Sequence, residues 1–304
     1  MAERPTPIFV VGLQRSGTTW VANCLGGHPD IAVIEAEDHH GIHESIFFSH
    51  FARAYGDLAD DAAYARFLEG FLTCDYFLLS GVDAQEFTAV RHRTYAEAFS
   101  YLMDRVARDR GCRFWLEKSP DHTPFVADIR RAFPAARFVC VVRDPRGLVR
   151  SRLHAYGRRP ARGLKRMAQV VKGGVAVSFY QRLLADFCRK DDLALLVRYD
   201  DLVAGTEQGL QAITGFIGCG FDEGVLQERF SPNTSFSGPG KSARPGLGEV
   251  DRFLLALALG LTGLVPLALL RRIQAWKAGR TGVRWPDWCW KRRDGFTPDR
   301  ERSR

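Results

Sequence analysis

Residues 7–20 read Pro7-Ile-Phe-Val-Val-Gly-Leu-Gln-Arg-Ser-Gly-Thr-Thr-Trp20, a short apolar run followed by a loop that two glycines bound. The apolar run predicts a buried strand, and the residues from Ser16 to Leu25 predict a helix that begins where the loop ends. Backbone N–H groups of the loop and the positive end of that helix would converge on one anion. The stretch therefore predicts a phosphate-binding loop between a strand and a helix.

This loop lacks the lysine of a nucleoside-triphosphatase loop. Its pattern is Gly12-x-x-x-x-Gly17-Thr18-Thr19, and Thr18 stands where such a loop carries lysine. The nearest cation is Arg15, which precedes the predicted helix instead of lying within it. The position of the charge argues against ordinary ATP or GTP hydrolysis.

The loop resembles the 5'-phosphosulfate loop of the sulfotransferases that use 3'-phosphoadenosine 5'-phosphosulfate (PAPS). The family version runs Lys or Arg, Ser, Gly, Thr, Thr, then Trp or Leu, and this chain has the complete set. The resemblance implies a donor site formed by Arg15, Ser16, Gly17, Thr18, Thr19 and Trp20. Within it, the threonines would donate hydroxyl hydrogen bonds and Trp20 would stack on the adenine.

Two further segments resemble the same family, in family order. Phe138 to Ser151 reads as strand, turn and helix, and the resemblance implies that Arg143 and Ser151, eight residues apart, hold the 3'-phosphate. Val197 to Leu202 is similar to the family's Tyr-Glu-Asp-Leu segment, with aspartate in place of glutamate, and Tyr199 would lie by the adenine. The plainer interpretations are a helix cap at residues 143–151 and a packed aromatic at residue 199. The three matches span residues 7 to about 220.

Apolar runs alternate with helical patterns along the chain. Strands are predicted near 7–12, 112–116, 137–142 and 193–198, and helices at 17–27, 94–110, 121–132, 145–156 and 165–189. This order predicts an α/β fold, a parallel sheet flanked by helices in the P-loop-like sulfotransferase arrangement. We assign residues 1–250 to that domain, with an acceptor-site insertion at about 30–92, and expect a mobile loop from Ser231 to Glu249.

Sulfuryl transfer, like phosphoryl transfer, requires cations around the transferring group and a base for the acceptor hydroxyl. Arg15 is the first candidate cation. Lys118 is the second, because it follows a predicted strand and resembles the lysine that tyrosylprotein and related sulfotransferases place on the leaving phosphate. A solvated charge at a helix start is the plainer interpretation of Lys118. No metal is expected.

A polar cluster supplies the candidates for the base: Glu35, Glu37, Asp38, His39, His40, His43 and Glu44. In tyrosylprotein-type relatives a glutamate follows His-Pro-Asp by five or six residues. Here His28-Pro29-Asp30 precedes Glu35 at the first of these positions, whereas the second is Ala36. We name Glu35 and Glu37 as catalytic candidates. Because cytosolic relatives use a histidine, the His39–His43 group stays open.

Composition limits the cellular setting and the partners. The seven cysteines are scattered and form no Cys-x-x-Cys pair, a pattern typical of reduced thiols, and the first residues do not resemble a signal peptide. We therefore expect a cytoplasmic protein. Residues 271–304 hold eleven Lys or Arg and four Asp or Glu, so they carry +7 of the formal net charge of +8. Nucleic acid is not expected as a partner, because the charge is confined to the tail.

The segment 251–304 combines an apolar stretch with a basic tail that is rich in tryptophan. Phe253 to Leu270 is uncharged and as one helix would span about 27 Å, near the lower limit for a bilayer. Spanning would export the basic tail, against the positive-inside tendency, and Pro266 would permit a bend. We favour an interfacial or re-entrant element at an anionic membrane surface over a buried helix or a subunit contact in a homo-oligomer.

The sequence thus predicts an enzyme that transfers a sulfuryl group from PAPS to a hydroxyl of a small molecule, glycan or lipid and releases the product nucleotide PAP. An amphiphilic acceptor follows if the tail binds a membrane. The alternatives are a P-loop kinase for small molecules and a catalytically silent, membrane-associated protein that binds PAP or PAPS.

Overall fold

The computed structural model describes residues 4–154, 161–227, 229–230 and 246–293. Five parallel strands form one sheet in the order β2-β5-β1-β6-β7. Their bounds are β1 Thr6–Val11, β2 Ile31–Val33, β5 Phe114–Lys118, β6 Arg137–Val142 and β7 Ala194–Arg198. A separate antiparallel pair consists of β3 Glu35–Ala36 and β4 Gly41–Ile42. The predicted α/β fold with a parallel sheet is confirmed.

The helices cover both faces of the sheet. They are α1 Thr18–Leu25, α2 Ala52–Ala54, α3 Asp61–Phe71, α4 Asp75–Ser80, α5 Ala84–Thr88, α6 Tyr95–Asp109, α7 Val126–Ala132, α8 Pro145–Leu153, α9 Gly163–Lys190, α10 Tyr199–Ala204, α11 Thr206–Ile217, α12 Glu249–Leu264 and α13 Leu267–Arg280. The five predicted helices are present, except that the first half of the predicted 121–132 helix is a 3-10 helix at Pro120–Phe125. Strand β2 was not predicted, because three residues are too few to show a period.

The central strand explains how the sheet is buried. Ile8, Phe9, Val10 and Val11 are all inaccessible to solvent. Ile8 and Val10 belong to the hydrophobic cluster shared with α1 and α11, whereas Phe9 and Val11 belong to the cluster that includes α6 and the insertion. Side chains alternate along a strand, so a fully apolar run implies helices on both sides.

Residues 35–92 pack over one face of the sheet through aromatic side chains. Phe47 stacks on Phe51 at 5.9 Å and meets Phe71 edge-on at 5.0 Å. The C-terminal tail completes this cluster: the Trp285 ring lies 4.8 Å from Phe51, and the buried Trp290 indole donates to the Gly70 carbonyl at 2.9 Å. The insertion and the tail therefore share one core.

The uncharged stretch 253–270 is not one helix. Helices α12 and α13 meet at a bend of 101°, and among the described residues no single helix is long and apolar enough to cross a membrane, although this bent pair passes on length and composition together. Leu255 of α12 shares a hydrophobic cluster with α8 and α9. The pair is thus a bent unit packed along α9.

Most tryptophans of the tail lie in or against the protein core. The composition of the tail favours a membrane surface for all four (Trp276, Trp285, Trp288 and Trp290), but Trp290 is buried and Trp285 and Trp288 pack against the aromatic core. Trp276 is 59% exposed. Burying an indole in a protein core removes as much apolar area from water as a bilayer would, and here its N–H also finds a carbonyl partner. The expected mobile loop lies mostly outside the described residues, and Glu249 belongs to α12.

Candidate functional site

The predicted donor-site residues and Lys118 meet at the carboxyl edge of the sheet. Lys118 ends β5, Gly12 follows β1, Arg143 follows β6 and Tyr199 follows β7. The strands are in register there, since Val10 lies opposite Lys118 and Val142 lies opposite Arg198. Parallel sheets bind ligands at this edge, where strand order diverges on either side of a central strand. One fold feature therefore gathers segments that are far apart in sequence.

The loop after β1 holds its shape through backbone conformation. Gly17 has φ 101° and Arg15 has φ 76°, which is the left-handed region. A Cβ on Gly12 would lie 2.4 Å from the Val141 carbonyl oxygen, so only glycine fits between the two strands. The Ser16 hydroxyl is buried at the start of α1 and has no hydrogen-bond partner among the described residues. A buried polar atom without a partner at a helix N-terminus fits an anion.

The three donor segments contact one another. Arg15 Nε donates to Ser151 Oγ at 3.1 Å, and Arg143 Nη1 donates to the Arg15 carbonyl at 3.2 Å. The Arg143 guanidinium lies 4.5 Å from the Tyr199 ring centroid, and Trp20 meets Tyr199 edge-on at 5.7 Å. Arg143 Nε is buried and has no hydrogen-bond partner in the described part of the chain. Two arginines, a serine and two aromatic rings thus surround the start of α1.

Lys118 lies on the other side of the loop and is almost fully buried. Its Nζ donates to Glu44 Oε1 at 2.9 Å and to Thr19 Oγ1 at 3.3 Å. Glu44 is 23% exposed, so this ion pair faces solvent through the carboxylate. The contact brings together the end of β5, the first turn of α1 and the chain after β4. Lys118 is therefore not the solvated helix-start charge of the plainer interpretation.

A buried polar network beneath Lys118 fixes this geometry. The Glu117 carboxylate accepts hydrogen bonds from Ser45 at 2.6 Å, Ser119 at 2.5 Å and His122 Nδ1 at 2.9 Å. Complete burial raises the pKa of Glu117, but the interaction with His122 and the hydrogen bonds from Ser119 and Ser45 outweigh it. The pKa of Glu117 therefore lies below its usual value. Ser119 Oγ also accepts from the N–H of Ile46, which is held at φ 46°. The network stabilises a strained residue two positions after Glu44.

The two named base candidates lie away from this ion pair. Glu35, on β3, pairs with Arg229 at 2.8 Å, and Glu37 is exposed in a 3-10 turn. Neighbouring Asp38 is also engaged, with Lys291 at 2.7 Å and Arg292 at 2.8 Å. These two cations hold the pKa of Asp38 well below its usual range. Glu44 belonged to the polar cluster but carried no motif that distinguished it.

The histidines of the cluster form a wall with the tail. The rings of His39 and His43 lie 4.0 Å apart, and Trp288 meets them edge-on at 5.1 and 5.2 Å. His43 Nδ1 contacts the Glu44 carbonyl at 3.0 Å, so Nδ1 carries the hydrogen and Nε2 does not. This Nε2 atom is buried and has no hydrogen-bond partner within the described residues. Trp288 was not recognised from sequence as part of the site.

The buried state of His43 makes stability depend on pH. Burial, with a smaller contribution from His39, lowers the pKa of His43 to about 3. The unfolded chain therefore binds more protons between about pH 6.5 and pH 3, and the free energy of unfolding falls as the pH falls through that window. We expect a loss of about 2 kcal/mol at about pH 5 from this group. Urea unfolding at pH 7 and pH 5 should show a weaker decline for His43→Phe, and an equal decline in both proteins would contradict the assignment.

Asp121 is a further carboxyl group at this edge, and it was not predicted from the sequence. It accepts from Gln14 of the loop at 3.1 Å. Burial, followed by the charge of Glu44, raises its pKa. Its position three residues after Lys118 was the only available signal. Among the described residues, no group of three or more His, Cys, Asp or Glu side chains has an arrangement that would hold a metal ion.

The sequence model of the sulfotransferase family matches residues 7–223, more than half of the chain, and the chain belongs to this family. Members of the family transfer sulfuryl groups. A comparison with curated proteins finds no match.

Among solved structures, the chain is similar to the sulfotransferase domain of the Synechococcus PCC 7002 olefin synthase, with 22% identity, a TM-score of 0.47, and coverage of 94% of this chain and 98% of that one. It is also similar to a sulfotransferase from Alicyclobacillus acidocaldarius, with 18% identity, a TM-score of 0.48, and coverage of 91% and 100%.

Proposed function

We propose that the protein transfers a sulfuryl group from PAPS to a hydroxyl group of an acceptor and releases PAP. The observation that carries this proposal is the arrangement of the carboxyl edge of the sheet. The anion-binding start of α1 lies between a cluster of arginines on one side and the Lys118–Glu44 ion pair on the other. The first arrangement suits a nucleotide with two phosphate positions, and the second suits proton removal from an incoming hydroxyl.

The donor fits the atoms that are available. The buried hydroxyl of Ser16 and the N–H groups at the start of α1 suit the 5'-phosphosulfate. Arg143, with its buried Nε, and Ser151 suit the 3'-phosphate, because guanidinium groups bind phosphate oxygens with paired donors. Tyr199 and Trp20 supply ring faces for adenine. Arg15 contacts Ser151, so we assign it to donor binding in addition to its expected role as a catalytic cation.

The chemistry uses the ion pair on the opposite side of the loop. Glu44 Oε2 takes the proton from the acceptor hydroxyl, and the acceptor oxygen forms a bond to sulfur. The bond between sulfur and the bridging phosphate oxygen breaks, and its electron pair stays on that oxygen. Lys118 Nζ, which lies 3.3 Å from Thr19 in the first turn of α1, donates to the leaving phosphate.

We assign the base to Glu44 in preference to Glu35, Glu37 and His43. Glu35 is paired with Arg229, and Glu37 is exposed outside the contacts of Lys118. The unprotonated Nε2 of His43 has the right chemistry, but a pKa of about 3 makes it a weak proton acceptor near neutral pH. Glu44 alone among these candidates contacts Lys118 directly.

Nucleotide binding tests the donor assignment. Calorimetry should show that PAP binds more tightly than AMP, which lacks the 3'-phosphate, by roughly tenfold or more, because a charged hydrogen bond is worth about 1.5–3 kcal/mol. Arg143→Ala should reduce this preference, whereas Arg131→Ala, which removes an exposed arginine at the end of α7, should preserve it. Tighter binding of ATP than of PAP would favour the kinase and overturn the proposal.

Gly17 offers a second test of the same site. A Cβ on Gly17 would lie 2.1 Å from Tyr199 Cδ2, and φ 101° strains any other residue. Gly17→Ala should therefore displace Tyr199 and lower PAP affinity by roughly tenfold or more. Gly215→Ala is the matched control, because this glycine of α11 has open space around its Cβ position. Equal PAP affinity in Gly17→Ala and the wild type would show that Tyr199 does not contribute to nucleotide binding.

A further inference from the structure

The outer face of α12 is apolar and exposed along its full length. Val250, Phe253, Leu257, Leu261 and Leu264 are between 46% and 83% exposed. They are spaced three or four residues apart, so they form a single stripe on the helix. The opposite face, which includes Leu255 and Ala258, is buried against α9. Leu264, at the bend before α13, is the most exposed residue of the stripe.

Helix α13 carries an exposed apolar stripe of its own and has no buried residue. Leu269, Ile273 and Trp276 are 48%, 51% and 59% exposed and lie four and three residues apart. A helix of 14 residues is marginal in water unless an apolar face is packed. The exposed stripe on α13 therefore lacks the packing that would stabilise the helix, among the described residues.

Both ends of the helix pair are fixed to the rest of the protein. At the start of α12, the Arg166 guanidinium forms a two-pronged contact with Asp251, at 2.6 and 3.0 Å. At the bend, Arg182 donates to the carbonyls of Thr262 and Val265. At the end of α13, Arg53 donates to the carbonyl of Ala278. The bend of 101° and these anchors hold the pair as an elbow against the rest of the protein.

The charge on the elbow indicates what covers it. The elbow, residues 249–280, contains five Lys or Arg and two Asp or Glu, a net charge of +3, and both acidic residues lie at the start of α12. Arg272, Lys277 and Arg280 flank the apolar stripe of α13, and Arg280 lies 4.4 Å from the Trp276 ring. Exposed leucines with a tryptophan and nearby cations are the composition of an anionic bilayer surface site. A two-fold contact between copies would instead bring together two segments of net positive charge, which would repel.

We propose that the α12–α13 elbow docks on the surface of an anionic lipid bilayer, with the leucines at the bend entering the boundary between headgroups and acyl chains. Seven residues, 281–287, separate the end of α13 from Trp288, which packs on the His39 and His43 wall beside Glu44. A short segment thus links the candidate acceptor site to the docking surface. This placement suits an acceptor hydroxyl on an amphiphilic molecule. That acceptor assignment rests on the proposed sulfuryl transfer, whereas the docking does not.

Vesicle flotation of the full chain tests the docking. The wild type should float with vesicles of phosphatidylcholine and phosphatidylglycerol, bind phosphatidylcholine alone more weakly, and lose binding as salt rises. The double variant Leu261→Glu/Leu264→Glu should lower the bound fraction by roughly tenfold or more. Leu164→Glu/Val203→Glu, which adds the same charge at two other exposed apolar residues, should float as the wild type does.

Two further measurements distinguish the outcomes. Thermal unfolding should show similar stability for both double variants, so that lost flotation reflects the surface and not the fold. Light scattering without lipid should show the same mass for the wild type and for Leu261→Glu/Leu264→Glu, the elbow variant. A wild-type dimer that the elbow variant converts to monomer, with no vesicle binding, would assign the face to a second copy and overturn the proposal. Equal flotation of the wild type and the elbow variant would also overturn it. PAP binding and sulfuryl transfer are measured separately, so their failure would leave the docking result unaffected.

Discussion

Replacing Lys118 by methionine should lower kcat by about two to three orders of magnitude, the loss that follows removal of one donor aimed at developing charge. Lys118 is 2% exposed and contacts both Thr19 and Glu44, so its charge lies between the donor loop and the acceptor side. Methionine keeps the length and apolar stem of lysine and limits the cavity. The effect is measured as the rate of PAP formation from PAPS in the presence of an extract fraction that supplies the acceptor.

The control for this variant is Lys190→Met, which removes an exposed lysine at the end of α9 that pairs with Asp186. We expect its kcat to match the wild type. PAP affinity of Lys118→Met should change far less than its kcat, because Arg143 and Ser151 supply the 3'-phosphate contacts in our account. A wild-type kcat in Lys118→Met would show that Lys118 takes no part in the reaction.

Replacing Glu44 by glutamine should lower kcat by roughly 100-fold or more, since the amide keeps the shape of the side chain but cannot accept the acceptor proton. Glu35→Gln is the matched control, because the Glu35 carboxylate pairs with Arg229 and not with Lys118. A larger loss in Glu35→Gln than in Glu44→Gln would restore the base to the position that spacing from His28-Pro29-Asp30 predicts.

The donor side of the site was predictable because its residues lie in contiguous segments. Each segment is a strand followed by a turn and a helix, and the apolar run and the polar turn are both visible in sequence. Register across the parallel sheet then brings Gly12, Arg143 and Tyr199 to one edge. Local pattern and global topology agree, so the α/β fold and the family could both be identified from these residues.

The acceptor side of the site was harder to predict from sequence, because contacts between distant segments define it. Glu44 is distinguished from its polar neighbours only by Lys118, which lies 74 residues away in sequence. Trp288 reaches His39 and His43 from the far end of the chain, where composition alone favoured a membrane role. The hydrophobic periodicity of a sequence does not distinguish a tryptophan that packs in the core from one that remains exposed.

The bend between α12 and α13 shows the same limit in the backbone. Pro266 removes a donor and disfavours helical geometry at Val265, which has ψ 129° and ends α12. Proline indicated where a bend was possible. The anchoring of the bend by Arg182 depends on α9 and has no local signal.

Transfer of a sulfuryl group from PAPS to an acceptor hydroxyl is the activity that we propose for the chain. Incubating the purified protein with sulfur-labelled PAPS and fractionated extracts, both soluble and lipid, tests it most directly. We predict that label enters a hydroxyl-bearing compound in step with PAP release, that a lipid fraction supplies that compound, and that Lys118→Met slows the transfer by about two to three orders of magnitude. Tight PAP binding without transfer of label to either fraction, or phosphate transfer from ATP in its place, would show that the chain is not a PAPS-dependent sulfotransferase.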